Sequence, residues 1–178
     1  VRENGKTLRE AGGELLSAIK EMGWQIAEGL RLCGQTVPSE KEGVFAYTVR
    51  RPLGVAAIIS PWNFPFNVPC RKCAPALMAG NAVVFKPASL TPRACVCFVE
   101  AFEEAGLPPG VLNLVTGPGK TVGDELVANP AVRAVSFTGS TPVGAAIHAK
   151  AAATLARTQL EMGGKNPVVV LADADLDA

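Results

Sequence analysis

Short strand-like apolar runs alternate with helical patterns along most of this chain, and that alternation restricts the fold more than any other feature. Residues 54–59, 82–85, 111–116, 134–137 and 167–171 are apolar and mostly rich in β-branched side chains, as buried strands are. Helical patterns cover 68–79 and 92–105, a short stretch ended by Asn129-Pro130, and a segment from Thr141-Pro142 to about Ala156. Thr91-Pro92 and Thr141-Pro142 each join an N-cap residue to a proline suited to the first helical position. Gly80-Asn81 and Gly106 are stop signals. Strands joined through helices run parallel, with right-handed crossovers and helices on both faces. Upstream, Leu15, Leu16, Ile19, Met22, Ile26 and Leu30 recur at helical spacing and predict an amphipathic helix ended by Gly34. Residues 47–50 alternate like an exposed strand.

With 178 residues, 48% of them hydrophobic, the chain suits one domain with a sizeable core. A net charge of +1 argues against disorder and against a nucleic-acid footprint. No apolar run is long enough to cross a bilayer, so no membrane partner is expected. The five cysteines fall on apolar segments and read as small buried hydrophobes in a reducing, cytoplasmic setting. Cys70-x-x-Cys73 lies in a helical pattern without a second pair or a nearby His, so no metal is expected. The sequence opens without Met inside a cap pattern and stops soon after an apolar run, which reads as truncation at both ends.

The unusual polar and glycine-rich segments follow strands or lie in connections, and in open α/β sheets ligands bind at the carboxyl ends of strands. After 54–59 comes Ser60-Pro61-Trp62-Asn63-Phe64-Pro65, where a fixed Asn amide suits a developing oxyanion, although Asn and Pro also build ordinary turns. Lys86 lies just past the next strand, where a ribose hydroxyl or phosphate would sit, or is an ordinary surface Lys. Gly117-x-Gly119-x-x-x-Gly123 misses the dinucleotide spacing by one place, and Leu114 stands where a P-loop needs its first Gly. Gly139-x-x-x-x-Gly144, with Ser140 at a helix start, is the better phosphate candidate; turn and packing demands explain its glycines equally well. Glu161, before Gly163-Gly164, is a candidate general base or a solvated loop carboxylate. His148 has no acidic or thiol partner near in sequence and reads as structural or exposed.

Four ordered motifs, Pro61-Trp62-Asn63-Phe64-Pro65, Lys86-Pro87-Ala88-Ser89, Phe137-Thr138-Gly139-Ser140-Thr141-x-x-Gly144 and Leu160-Glu161-Met162-Gly163-Gly164-Lys165-Asn166-Pro167, resemble the NAD(P)-dependent aldehyde dehydrogenases over essentially the whole chain. The resemblance implies an α/β fold of Rossmann-like, mainly parallel type, with NADP or NAD as cofactor and a small-molecule aldehyde as substrate. The reaction it implies is oxidation to a carboxylate through a Cys thioester. By the same resemblance Asn63 is the oxyanion-stabilising amide and Glu161 the base that activates water. Ser60, Pro61, Trp62 and Asn63 form a loop against the cofactor. Lys86 and Ser89 meet the adenosine ribose, and Gly119 and Lys120 line the adenine side. Gly139, Ser140 and Gly144 lie at the pyrophosphate, and Met162 and Gly163 lie near the nicotinamide. Lys72 matches a family lysine near the site. Many NAD-preferring relatives carry Glu where Ser89 stands, which points to NADP being accepted.

None of the five cysteines stands in the family's nucleophile motif, which lies past Ala178. The chain therefore resembles an internal piece that is inactive alone, with the catalytic domain outside it. Residues 1–37 correspond to a helical part of the cofactor domain, 38–53 to part of an oligomerisation hairpin, and 54–178 to the dinucleotide-binding domain. The full-length relative is a homo-oligomer, most like the bacterial semialdehyde-oxidising members. The rival readings are a catalytically inactive nucleotide-binding or interaction fragment and a phosphorylating semialdehyde reductase; such reductases commonly lack the Glu161-type base.

Overall fold

The computed structural model describes residues 1–176, and its centre is a five-stranded, wholly parallel sheet in the order β5-β4-β3-β6-β7. The strands are β3 (Val55–Ile59), β4 (Ala82–Lys86), β5 (Leu112–Leu114), β6 (Val132–Gly139) and β7 (Arg157–Met162). The helices are α1 (Leu8–Gly29), α2 (Asn67–Met78), α3 (Pro92–Glu104), α4 (Asp124–Ala128) and α5 (Thr141–Ala152). A single π-helical turn, Gly119–Gly123, precedes α4. A small antiparallel ribbon pairs β1 (Thr36–Val37) with β2 (Ala46–Tyr47).

Alternation along each strand divides the core in two. Ile58, Val83, Phe85 and Leu112 pack with Ala18 of α1, Cys70 and Cys73 of α2, and Phe98 of α3. Ala57, Val135 and Phe137 face the other way, onto Val127 of α4 and Ile147 and Ala151 of α5. Phe98 meets Phe66, Phe85 and Phe102 edge-on at centroid distances of 5.4, 6.1 and 5.1 Å. Burying one such ring contributes about 1.5–3 kcal/mol. The chain works outward from β3 to β5 on one side, then returns to place β6 and β7 on the other. The switch point between β3 and β6 is where ligands gather in such sheets.

The predicted stops after α2 and α3 hold. Gly80 and Gly106 have φ of 82° and 88°, and Asn81 N–H and Leu107 N–H reach back to the carbonyls of Ala76 and Phe102. A left-handed residue that closes a helix in this way is best supplied by glycine.

Four expectations need correction. The last strand is Arg157–Met162, not 167–171: β6 pairs with Arg157 through Met162, while Val168 is 87% exposed and 167–171 has no ladder partner. Hydrophobicity pointed to the wrong run because β7 is a half-exposed strand that alternates polar and apolar residues. Consequently Glu161 and Met162 are strand residues, not loop residues. Second, α1 forms, but it buries Glu14 and Ala18, leaving Leu15, Leu16, Ile19 and Ile26 exposed. Third, α1 ends at Gly29; a Cβ on Gly34 would lie 1.8 Å from the Thr48 carbonyl oxygen, so Gly34 serves the close crossing beside the ribbon. Fourth, the Thr91 side chain makes no cap bond; Glu3 caps α3 from the N-terminal arm, accepting Arg93 N–H (2.8 Å) and Ala94 N–H (2.9 Å).

Candidate active site

The strand registers bring the candidate loops to one edge. Ile59 is level with Lys86 on β4 and with Phe137 on β6, and Thr138 and Gly139 are level with Glu161 and Met162 on β7. All of these stand at carboxyl ends of parallel strands. Hollows of about 820 and 690 Å³ elsewhere are lined by none of the candidate residues.

One cluster forms beside β4. Lys86 is the last residue of β4 rather than just past it and is 4% exposed rather than at the surface; among the described residues its ammonium donates only to the Pro87 carbonyl (3.0 Å). Burial pushes its pKa down. Its methylenes lie against Gly123 of the π-turn that also contains Gly119 and Lys120. Ser89 Oγ reaches the Gly117 carbonyl at 3.4 Å and lines a hollow of about 300 Å³ with Thr116 and Gly117. Nothing crowds the missing Cβ of Gly119.

A second cluster forms at the first turn of α5. Ser140, not Thr141 as expected, is its N-cap residue, because the helix already begins at Thr141, and Ser140 makes no side-chain cap bond. A Cβ on Gly139 would meet the Phe137 ring at 2.4 Å, and one on Gly144 would meet Met162 Sδ at 2.4 Å. Packing requires glycine at 139, where the ring in the way is buried, whereas at 144 the end of the flexible, 43% exposed Met162 side chain can move aside. The same packing seats Met162 against α5, and Thr141 Oγ1 reaches the Gly163 carbonyl at 3.4 Å. Gly139, Ser140, Gly144, Met162 and Gly163 therefore form one group.

Between these clusters runs the loop after β3. Ser60 N–H donates to the Lys86 carbonyl (3.2 Å), while its buried hydroxyl has no partner among the described residues. Trp62 and Asn63 are exposed, and the Asn63 amide makes no hydrogen bond among the described residues. A buried hydroxyl without a partner and a buried ammonium with one acceptor leave hydrogen-bonding capacity at this edge. A phosphorylated, hydroxyl-rich dinucleotide fits such a donor set.

Glu161 belongs to a network that sequence reading missed, apart from Lys72. The Lys72 ammonium, on α2, donates to Ser136 Oγ (2.9 Å), Gln159 Oε1 (2.9 Å) and the Phe137 carbonyl (3.3 Å). Gln159 Nε2 donates to Glu161 Oε1 (2.7 Å). Burial lowers the Lys72 pKa to about 8, and the nearby Glu161 charge works against that shift. Val68, Arg71, Lys72, Ser136, Gln159 and Glu161 line a cavity of about 620 Å³. The polar alternation of Arg157–Met162 was the available signal for Gln159; no local pattern marked Ser136.

Three of the five cysteines are buried as expected, Cys70, Cys73 and Cys95, while Cys33 and Cys97 are exposed; all five are free, and burial raises the thiol pKa of Cys70 to about 11 and of Cys95 to about 12. No group of three His, Cys, Asp or Glu among the described residues is placed to hold a metal. His148 is exposed, with Nδ1 2.8 Å from Thr158 Oγ1.

A sequence model of the aldehyde dehydrogenase family matches residues 1–178. The chain belongs to the aldehyde dehydrogenase family. It is 52% identical, over its whole length, to an alpha-ketoglutaric semialdehyde dehydrogenase of Bacillus subtilis (strain 168), of which it covers 36%. It is 44% identical to a succinate-semialdehyde dehydrogenase [NADP(+)] of Escherichia coli (strain K12), over 98% of this chain and 36% of that protein. Among solved aldehyde dehydrogenase folds, a 3,6-anhydro-L-galactose dehydrogenase in complex with NAP superposes with a TM-score of 0.92 at 42% identity, covering 97% of this chain and 36% of that one. The chain thus spans about a third of the length of these aldehyde dehydrogenases.

Proposed function

We propose that this chain is the cofactor-binding part of an NAD(P)-dependent semialdehyde dehydrogenase whose nucleophilic Cys lies outside the sequence described here. One observation carries the reading: an unpaired Asn63 amide and the Glu161 carboxylate stand at the same carboxyl edge in a chain of this family. A thiolate attacking the aldehyde carbon places negative charge on the carbonyl oxygen, and the Asn63 N–H stabilises it. NADP or NAD, held by the residues named below, would supply the hydride acceptor. Glu161 then takes a proton from the water that hydrolyses the thioester. The full-length protein is expected to reduce cofactor with semialdehydes, measured by the absorbance of the reduced nicotinamide; no reduction with any aldehyde would refute the reading.

In this reading Ser60, Pro61, Trp62 and Asn63 border the cofactor, with Lys86, Ser89, Gly119 and Lys120 at the adenosine end. Gly139, Ser140 and Gly144 lie at the pyrophosphate and Met162 and Gly163 at the nicotinamide. Residues 54–178 are the dinucleotide-binding domain, preceded by a helical part (1–37) and part of an oligomerisation hairpin (38–53), and the catalytic domain lies outside the chain. The exposed Leu16, Ile19 and Phe45 support a homo-oligomer, and five free cysteines support a reducing, cytoplasmic setting.

Two predictions follow from the cavity linings. Ser89→Glu would put a carboxylate into the Ser89–Gly117 hollow, beside a 2′-phosphate. Like charges about 4 Å apart repel by up to about 4 kcal/mol near a surface, less in salt. The ratio of kcat/KM with NADP to that with NAD is expected to fall at least about tenfold, the equivalent of about 1.4 kcal/mol. An unchanged ratio would place Ser89 away from the ribose.

The relatives' semialdehyde names describe aldehydes with a carboxylate at the far end. Two cations line the 620 Å³ cavity; Lys72 is already held by three acceptors, whereas the half-exposed Arg71 has, among the described residues, only a loose pair with Glu21 at 3.5 Å and can meet that carboxylate. Arg71→Gln is expected to raise KM for an acid semialdehyde about 10–100-fold, the worth of a charged hydrogen bond, and to spare a neutral aldehyde of equal length. Equal effects on both substrates would remove Arg71 from this role.

A further inference from the structure

The four residues after Asn63 are all held by groups from other elements. Lys6 Nζ stands 3.8 Å from the centre of the Phe64 ring. Cys95 Sγ donates to the Pro65 carbonyl at 3.1 Å. Glu14 Oε1 accepts both Phe66 N–H (2.8 Å) and Asn67 N–H (3.1 Å). Its other oxygen, Oε2, pairs with Lys6 Nζ at 2.5 Å.

We propose that Glu14 is a positioning residue for the proposed oxyanion donor: with Lys6, it fixes the first turn of α2 and so the place where the Asn63 amide is presented. The proposal rests on the reading of Asn63 given above. α2 has no cap of its own, since its N-cap residue, Phe66, offers no side-chain acceptor. The first N–H groups of a helix need acceptors, and its positive end favours a carboxylate. Glu14 supplies both from α1, although it is 7% exposed. A carboxylate so buried persists because two N–H groups and one ammonium satisfy it. Only Phe64 and Pro65 separate Asn63 from this anchor, and the ring of Pro65 limits backbone rotation between them. A shift of the α2 terminus is therefore carried to Asn63. The α1–α2 contact is itself fixed where Cys70 Sγ donates to the Ala18 carbonyl at 3.3 Å.

The test is a double-mutant cycle in the full-length protein, read as the single-turnover rate of cofactor reduction with cofactor affinity measured in parallel. Glu14→Ala is expected to slow that rate about 10–100-fold, the scale of an ångström-sized misplacement, without changing cofactor affinity. Glu14→Gln keeps an acceptor oxygen for both N–H groups and is expected to recover most of the loss. In an Asn63→Ala background Glu14→Ala should cost less than about threefold, because no amide remains to be misplaced. Equal losses in both backgrounds, or an unchanged rate in Glu14→Ala, overturn the proposal alone. Asn63→Ala with an unchanged rate removes the reading of Asn63 and this proposal with it. If Glu14→Ala does not fold, Lys6→Met, which removes the partner of Glu14 and the contact on Phe64, is run through the same cycle with the same criteria.

Discussion

Glu161→Gln in the full-length protein is expected to lower steady-state turnover by about 10²–10⁴-fold, the range for loss of a general base, while sparing the first burst of reduced cofactor. The substitution keeps the side chain's shape, but an amide cannot take the proton of the attacking water. Hydride transfer comes before hydrolysis, so the thioester accumulates and the burst amplitude stays near one per active site. Glu161 is exposed at the end of β7, so the amide itself buries no new group. A second consequence concerns Lys72. Burial already lowers its pKa to about 8, and the Glu161 charge holds the ammonium against that pull. Without the carboxylate the Lys72 pKa moves further down, so any rate step that needs the ammonium fails at lower pH than in the wild type. Rapid-mixing kinetics with a pH profile checks both parts. Loss of the burst together with turnover would show that Glu161 acts before or during hydride transfer.

Asn63→Ala is expected to slow the formation of reduced cofactor itself by about 10²–10³-fold, the cost of removing one oxyanion donor. The amide has no hydrogen bond among the described residues, so its removal leaves no orphaned partner inside the protein. The thermal midpoint should therefore stay close to that of the wild type, and the loss should appear in the burst rate. The two variants separate the two halves of the reaction: one slows the burst, the other the turnover that follows. A burst rate unchanged by Asn63→Ala would take the residue out of the chemistry.

Much of this molecule is written locally. The alternation of apolar runs with helical patterns is enough to require a parallel sheet with helices on both faces. The strand-then-loop order is enough to place Asn63, Lys86 and the Gly139 segment at one edge, whereas Glu161 reaches that edge only because Arg157–Met162 is the last strand. Gly80 and Gly106 end their helices as their neighbours predict, because helix termination depends on a few consecutive residues. The family motifs work in the same way, each carried by a short run that keeps its own spacing.

Other features are decided only when distant segments meet. Whether Arg157–Met162 or 167–171 is a strand depends on which finds a partner, and β6 pairs with the more polar of the two. Leu15, Leu16 and Ile19 have the spacing of a core stripe, yet α2 covers the Glu14–Ala18 face. The glycines at 139 and 144 suit a phosphate loop and tight packing equally by sequence; the structure adds that the Phe137 ring occupies the space a side chain at 139 would need. The caps of α2 and α3 come from Glu14 and Glu3, and Lys72 reaches Glu161 through Gln159. Hydrophobic period and turn chemistry are properties of neighbours along the chain, so the sequence alone determines the elements and their order. Hydrogen-bond satisfaction and close packing are properties of neighbours in space, and only the tertiary structure decides which group completes each.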